Sequence, residues 1–159
     1  MVPHALMTHM IPFFPDRDTS VTVARAMIDG GTTYLEVQFP FSDPTADGPT
    51  IQGASAQALH AGFRLDAGWK FVAEVIAYAG AAGSDVQVFV MSYASPVFAR
   101  GVDAFVATAA EVGVAGLIVP DLPIDSDEGL YEAGRRHGVE IVPVIALGAS
   151  KERIELTRA

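Results

Sequence analysis

The sequence predicts an α/β fold built on a parallel sheet, and three observations carry that prediction. Strand-like and helix-like stretches alternate along the chain, giving about five βα units with short connections and no low-complexity linker. One strand candidate, residues 86–93, is apolar on nearly every position, as a strand covered on both faces should be. Polar groups, namely Glu36, Asp43, Asp47, Tyr93 and Asp121, fall at or after the C-terminal ends of strand candidates, the edge where such folds place their sites.

The elements follow in order. Residues 6–13 read as a first strand, closed by Pro15 and the polar group Asp16, Arg17, Asp18. Asp18 or Thr19 is expected to cap a helix whose Val21, Ala24 and Ile28 lie at helical spacing and which Gly30 and Gly31 end. Residues 34–39 form a second strand candidate of aromatic and β-branched residues, interrupted by Glu36 and stopped by Pro40. Helices are predicted over 50–60 and 65–79, the second with Trp69, Val72, Ile76 and Ala79 as an apolar stripe. After the strand at 86–93 come a helix at 102–112, a strand at 117–120, a helix at 128–137 and a strand at 140–147. Ser150 caps a last helix with Glu152 in its first turn.

Composition narrows the function. Half of the 159 residues are hydrophobic, enough to fill one core, so residues 1–159 are read as a single domain. A net charge of −9 argues against nucleic acid, whose phosphates need Lys and Arg. No apolar run approaches the roughly 20 residues of a membrane span, and the N-terminus lacks a signal-peptide pattern, so a cytoplasmic location is expected. Without cysteine there are no disulfides, thiolate nucleophiles or cysteine-based metal sites. His4, His9, His60 and His137 show no ligand spacing, so no metal is expected. Both lysines, Lys70 and Lys151, fall on predicted helices, which disfavours Schiff-base chemistry at a strand end.

Two carboxylates remain as candidates. Glu36, flanked by Leu35 and Val37 in a strand, would be desolvated, with a raised pKa suited to proton transfer near neutral pH. Asp47, on the following loop, would accept a hydrogen bond from a substrate N–H or hydroxyl. The plainer readings are a solvent-facing strand Glu, ordinary Asp-Pro and Asp-Gly turns, a packing Tyr93 and a capping Asp121. Alternation alone leaves an open doubly wound sheet and a (β/α) barrel in competition. The first lacks its Gly-rich fingerprint, since Pro12-Phe13-Phe14-Pro15 stands after the first strand. The second usually takes about 250 residues.

Residues 39–52, Phe-Pro-Phe-Ser-Asp-Pro-Thr-Ala-Asp-Gly-Pro-Thr-Ile-Gln, closely resemble the signature of the tryptophan synthase alpha subunit. Leu35-Glu36 before them, then Met91-Ser92-Tyr93, Gly116 to Pro123 and Glu152-Arg153-Ile154, follow in the right order. The resemblance implies a parallel (β/α) TIM-type barrel and a lyase that cleaves indole-3-glycerol phosphate by a retro-aldol step into indole and glyceraldehyde 3-phosphate, in tryptophan biosynthesis. It implies Glu36 as general acid/base and Asp47 as hydrogen-bond acceptor for the indole nitrogen. Tyr93 and Ile118 match the lining of the indole pocket, and Asp43 a loop residue facing the beta subunit. No cofactor is implied for this subunit, because pyridoxal phosphate belongs to the beta subunit, its partner in an α2β2 heterotetramer.

The sequence departs from the family at Gln38 and Phe13, where glycine is usual, at Ser95, where asparagine is common, and over residues 146–150. The family's sixth to eighth units and phosphate-gripping glycine segments have no counterpart in these residues. The expectation is therefore an incomplete barrel, an N-terminal portion with about five of eight units. Alone it should turn over substrate negligibly, and it should self-associate through an open apolar edge at 140–147. A second reading is a catalytically silent partial-barrel module acting as an assembly or scaffold piece.

Overall fold

A computed structural model describes residues 5–157. His4 lies outside the described residues, as do the last two positions. Five strands, β1 (Met7–Met10), β2 (Tyr34–Gln38), β3 (Gln87–Met91), β4 (Gly116–Ile118) and β5 (Glu140–Val142), form one parallel sheet in the order β1-β2-β3-β4-β5. Every strand thus lies beside its predecessor in the chain. A doubly wound sheet reverses its strand order at a switch point, and this one does not; it advances one way, as a barrel wall does.

Among the described residues seven α-helices connect and follow the strands: α1 (Arg17–Asp29), α2 (Pro49–His60), α3 (Leu65–Ala81), α4 (Ala94–Arg100), α5 (Val102–Val112), α6 (Leu130–His137) and α7 (Lys151–Leu156). The period of two in the strands divides the sheet into two faces. Leu35, Val37, Val88, Val90 and Leu117 point to the helices and are buried. There they meet Ala24 and Ile28 of α1, Phe71, Val72 and Val75 of α3, Phe105 and Val106 of α5, and Leu130 and Ala133 of α6. The alternate set, Met7, Tyr34, Glu36, Gln87, Phe89, Ile118, Glu140 and Val142, lines the opposite face around a cavity of about 330 Å³.

Several boundaries differ from the sequence expectation for local reasons. Asp16, rather than Asp18 or Thr19, caps α1: its carboxylate accepts from the Thr19 N–H at 2.8 Å and the Thr19 hydroxyl at 2.7 Å. β5 ends at Val142 instead of running to 147, because Pro143 has no N–H for the ladder; Val144, Ile145 and Leu147 lie exposed beyond it. Helix α4 was not foreseen. Its first N–H, at Ala94, is taken by Asp121 Oδ1 at 2.9 Å, so Asp121 caps a helix that precedes it in the chain. Ser150 caps α7 as expected, accepting from the Arg153 N–H at 3.2 Å.

Close packing at two glycines sets the spacing of the wall. A Cβ on Gly116 of β4 would lie 2.5 Å from Cε1 of Phe89 and 2.9 Å from the Glu140 carbonyl oxygen. At Gly134 of α6 it would lie 2.6 Å from Cγ1 of Ile141 and 2.7 Å from the Val139 carbonyl oxygen. Phe39, at the end of β2, packs on Trp69 of α3 with ring centroids 4.9 Å apart, and Trp69 in turn on Phe105 at 5.0 Å.

Candidate active site

Glu36 sits in the middle of β2, level with His9 of β1 and Phe89 of β3, and its side chain lies among the residues that line the cavity. Partial burial between Tyr34, Phe89 and Ile118 is the main cause that raises the Glu36 carboxyl above the ordinary glutamate range; the charge of His9 pulls it back, and that of Asp47 pushes it up further. A carboxyl whose pKa burial raises is the kind that can give a proton and take it back.

Asp47 arrives on the loop between β2 and α2. Two turn bonds shape that loop: the Thr45 N–H donates to the Asp43 carbonyl, and the Asp47 N–H to the Pro44 carbonyl. The carboxylate is then held from two sides. Gln38 Nε2 donates to Asp47 Oδ2 at 2.6 Å, and the Tyr93 hydroxyl donates to the same oxygen at 2.8 Å. Tyr93 lies just past β3 and is 1% exposed. Its oxygen accepts the Ala46 N–H at 3.1 Å, and Phe41 stacks on its ring at 5.3 Å. Burial, followed by the bond to Asp47, pushes the Tyr93 hydroxyl up to about 12, so it serves as a permanent donor.

The structure therefore sets Asp47 and Tyr93 past the C-terminal ends of β2 and β3, whereas Glu36, expected at a strand end, sits mid-strand on the cavity face, because β2 runs on through Gln38. Ile118 lines the same cavity as Glu36; the Tyr93 hydroxyl is directed to Asp47. Asp43 is exposed on the loop and its Oδ2 is bonded to the Ser42 hydroxyl. Among the described residues no cluster of metal-ligating side chains is found.

His9 has no ligand spacing in the sequence and no local signal that marks it. In the structure its Nε2 lies 2.8 Å from Gln38 Oε1. The parallel pairing of β1 with β2 was the available signal, since it sets residue 9 level with Glu36 and on the same face. A larger groove of about 780 Å³, lined by Tyr131, Arg135, Ile141 and Leu156 among others, lies away from both carboxylates.

Residues 3–158 match the family model described as tryptophan synthase alpha chain. Among curated relatives, the tryptophan synthase alpha chain of Helicobacter hepaticus is 37% identical over 151 residues, which cover 94% of this chain and 57% of the relative. That of Methanoregula boonei is 38% identical over 141 residues, 89% of this chain and 51% of the relative. A ligand-free crystal structure of tryptophan synthase from Mycobacterium tuberculosis superposes with a TM-score of 0.88 at 33% identity, covering 96% of this chain and 60% of that one. The tryptophan synthase a2b2 complex of Pyrococcus furiosus gives 0.85 at 30% identity, with 96% and 63% covered. The chain spans a little over half the length of the curated relatives it matches.

Proposed function

Since this chain belongs to the tryptophan synthase alpha chain family, we propose that it carries the carboxylate pair of an indole-3-glycerol-phosphate lyase. The reaction is the retro-aldol cleavage of indole-3-glycerol phosphate to indole and glyceraldehyde 3-phosphate, a step of tryptophan biosynthesis. The observation that carries this reading is the pairing of a half-buried Glu36, its pKa raised, with an Asp47 carboxylate held by two donors on one oxygen.

In this reaction Glu36 delivers a proton to the indole ring carbon that bears the side chain, and the ring nitrogen takes up positive charge. The Asp47 carboxylate accepts the hydrogen bond of that N–H and stabilises the charge where it develops. Loss of the proton from the side-chain hydroxyl next to the ring then turns that carbon into the aldehyde. The ring-to-side-chain carbon bond breaks and its electron pair returns to the ring. Glu36, a base once it has given its proton, is the group placed to accept the hydroxyl proton. Ile118 supplies apolar surface beside Glu36 for the indole ring, and Tyr93 acts through Asp47.

None of these steps calls for a cofactor in this chain. The partner that the family suggests is a tryptophan synthase beta subunit, which would hold the pyridoxal phosphate, in an α2β2 assembly in the cytoplasm, with the exposed Asp43 loop at the contact. Among the described residues no helix is long and apolar enough to cross a membrane. The test is indole release from indole-3-glycerol phosphate by this chain mixed with a beta subunit. Glu36→Gln should abolish release and leave beta-subunit binding intact; release that persists in Glu36→Gln refutes the assignment.

A further inference from the structure

Gln38 is 2% exposed, and both ends of its amide are committed. A carboxylate only accepts, so the group 2.6 Å from Asp47 Oδ2 must be the Nε2 donor. That leaves Oε1 toward His9, where it accepts from Nε2–H at 2.8 Å. Neither bond involves the backbone, so the ladder between β2 and its neighbours does not depend on them. The Tyr93 hydroxyl, just past β3, meets the same Asp47 Oδ2 at 2.8 Å. Oδ2 is thereby supplied with two donors, and among the described residues no donor reaches Oδ1.

We infer that Gln38 is a positioning residue, fixed by His9, that turns the Asp47 carboxylate so that Oδ1 alone is presented to a ligand N–H. The physical basis is orientation. A carboxylate on a loop rotates about its terminal torsion, which is broad. Two donors, one from β2 and one from just past β3, hold it in one plane before the ligand binds, so the ordering cost is not met at binding. Tyr93 by itself would leave rotation about a single bond. The ligand class that benefits is a planar aromatic N–H donor, and in this respect the inference rests on the reading of Asp47 given above.

The test has two arms, both on the full chain. In the first, the side-chain amide signal of Gln38 is followed by nitrogen-15 NMR. It should be shifted from the free-amide position and should move in both His9→Phe and Asp47→Ala; a signal at the free position, or one indifferent to either variant, overturns the relay. In the second, indole is titrated calorimetrically. Gln38→Met, of similar length but without the amide, should bind indole about tenfold more weakly, the worth of one hydrogen bond to a charged group. The double variant Gln38→Met/Asp47→Ala should bind no more weakly than Asp47→Ala.

Affinity for indole unchanged by Gln38→Met, or additive losses in the double variant, overturns the proposal. If Gln38→Met does not fold, His9→Phe carries the same prediction in the same direction, and undiminished indole affinity there overturns it equally. Should the unaltered chain bind no indole while the Gln38 amide responds to both variants, the positioning stands and the indole reading falls.

Discussion

Gly116→Ala tests the packing of the sheet wall beneath Glu36. The added Cβ would meet the Phe89 ring at 2.5 Å and 2.8 Å and the Glu140 carbonyl oxygen at 2.9 Å, whereas ordinary contact begins near 3.4 Å. The carbonyl belongs to the β4–β5 ladder and cannot retreat without disturbing it. The ring must therefore shift by about 1 Å, towards the cavity that Glu36 and Ile118 also line. Overpacking of this kind costs about 1–3 kcal/mol. The contribution of the ring separates in a double-mutant cycle. Phe89→Ala by itself should cost about 3–5 kcal/mol as a buried aromatic truncation. In that background Gly116→Ala should cost about 1 kcal/mol less than in the parent, because only the carbonyl contact is left. Urea unfolding with linear extrapolation reads all four stabilities. A Gly116→Ala chain within about 0.5 kcal/mol of the parent, or equal costs in the two backgrounds, refutes the steric account.

Three further outcomes are expected. Burial raises the Glu36 carboxyl in the folded chain, so its favourable contribution is complete below the unfolded value of about 4.3 and is lost as pH rises through the folded value. Glu36→Gln should therefore gain in stability relative to the parent from about pH 4.3 upward and level off above the folded value; urea midpoints from pH 4 to 8 that stay parallel contradict it. Tyr93→Phe removes the hydroxyl that bridges Asp47 and the Ala46 N–H and should cost about 1.5 kcal/mol. The same variant should delete from the ultraviolet titration the tyrosinate step near pH 12. Phe13 adopts a φ of +67° while its buried ring packs edge-on against Phe63 at 5.6 Å. Phe13→Gly should relieve about 1 kcal/mol of backbone strain but lose about 3–5 kcal/mol of packing. It should melt lower than the parent, and a higher melting temperature would show that the strain dominates.

Residues close in sequence carried most of the architecture. The apolar run around Val88 and Val90 named a covered strand, and the Trp69–Val72–Ile76–Ala79 stripe named a helix; the strand residues, Trp69, Val72 and Ala79 lie buried, with Ile76 partly buried. Local capping chemistry was legible at Ser150 and was misread by two or three residues at Asp16, because Asp16, Asp18 and Thr19 all have the right chemistry and only the helix geometry chooses among them. Helix α4 was invisible for a related reason: its cap, Asp121, lies 27 residues away. The motif at 39–52 named the family from side-chain order alone, which needs no three-dimensional information.

The α/β class and the family were legible in the sequence, which also singled out Glu36 and Asp47 as candidates, since each is written in local periodicity or in contiguous motif. The tertiary structure supplied what strand patterning cannot: the one-way order from β1 to β5, which the family resemblance implied, is chosen by how helices pack across the sheet. It alone also joined His9, Gln38, Asp47 and Tyr93 into one hydrogen-bonded chain. Those four side chains come from β1, β2, the loop after it and the end of β3, and parallel pairing converts sequence separations of up to 46 residues into single hydrogen bonds.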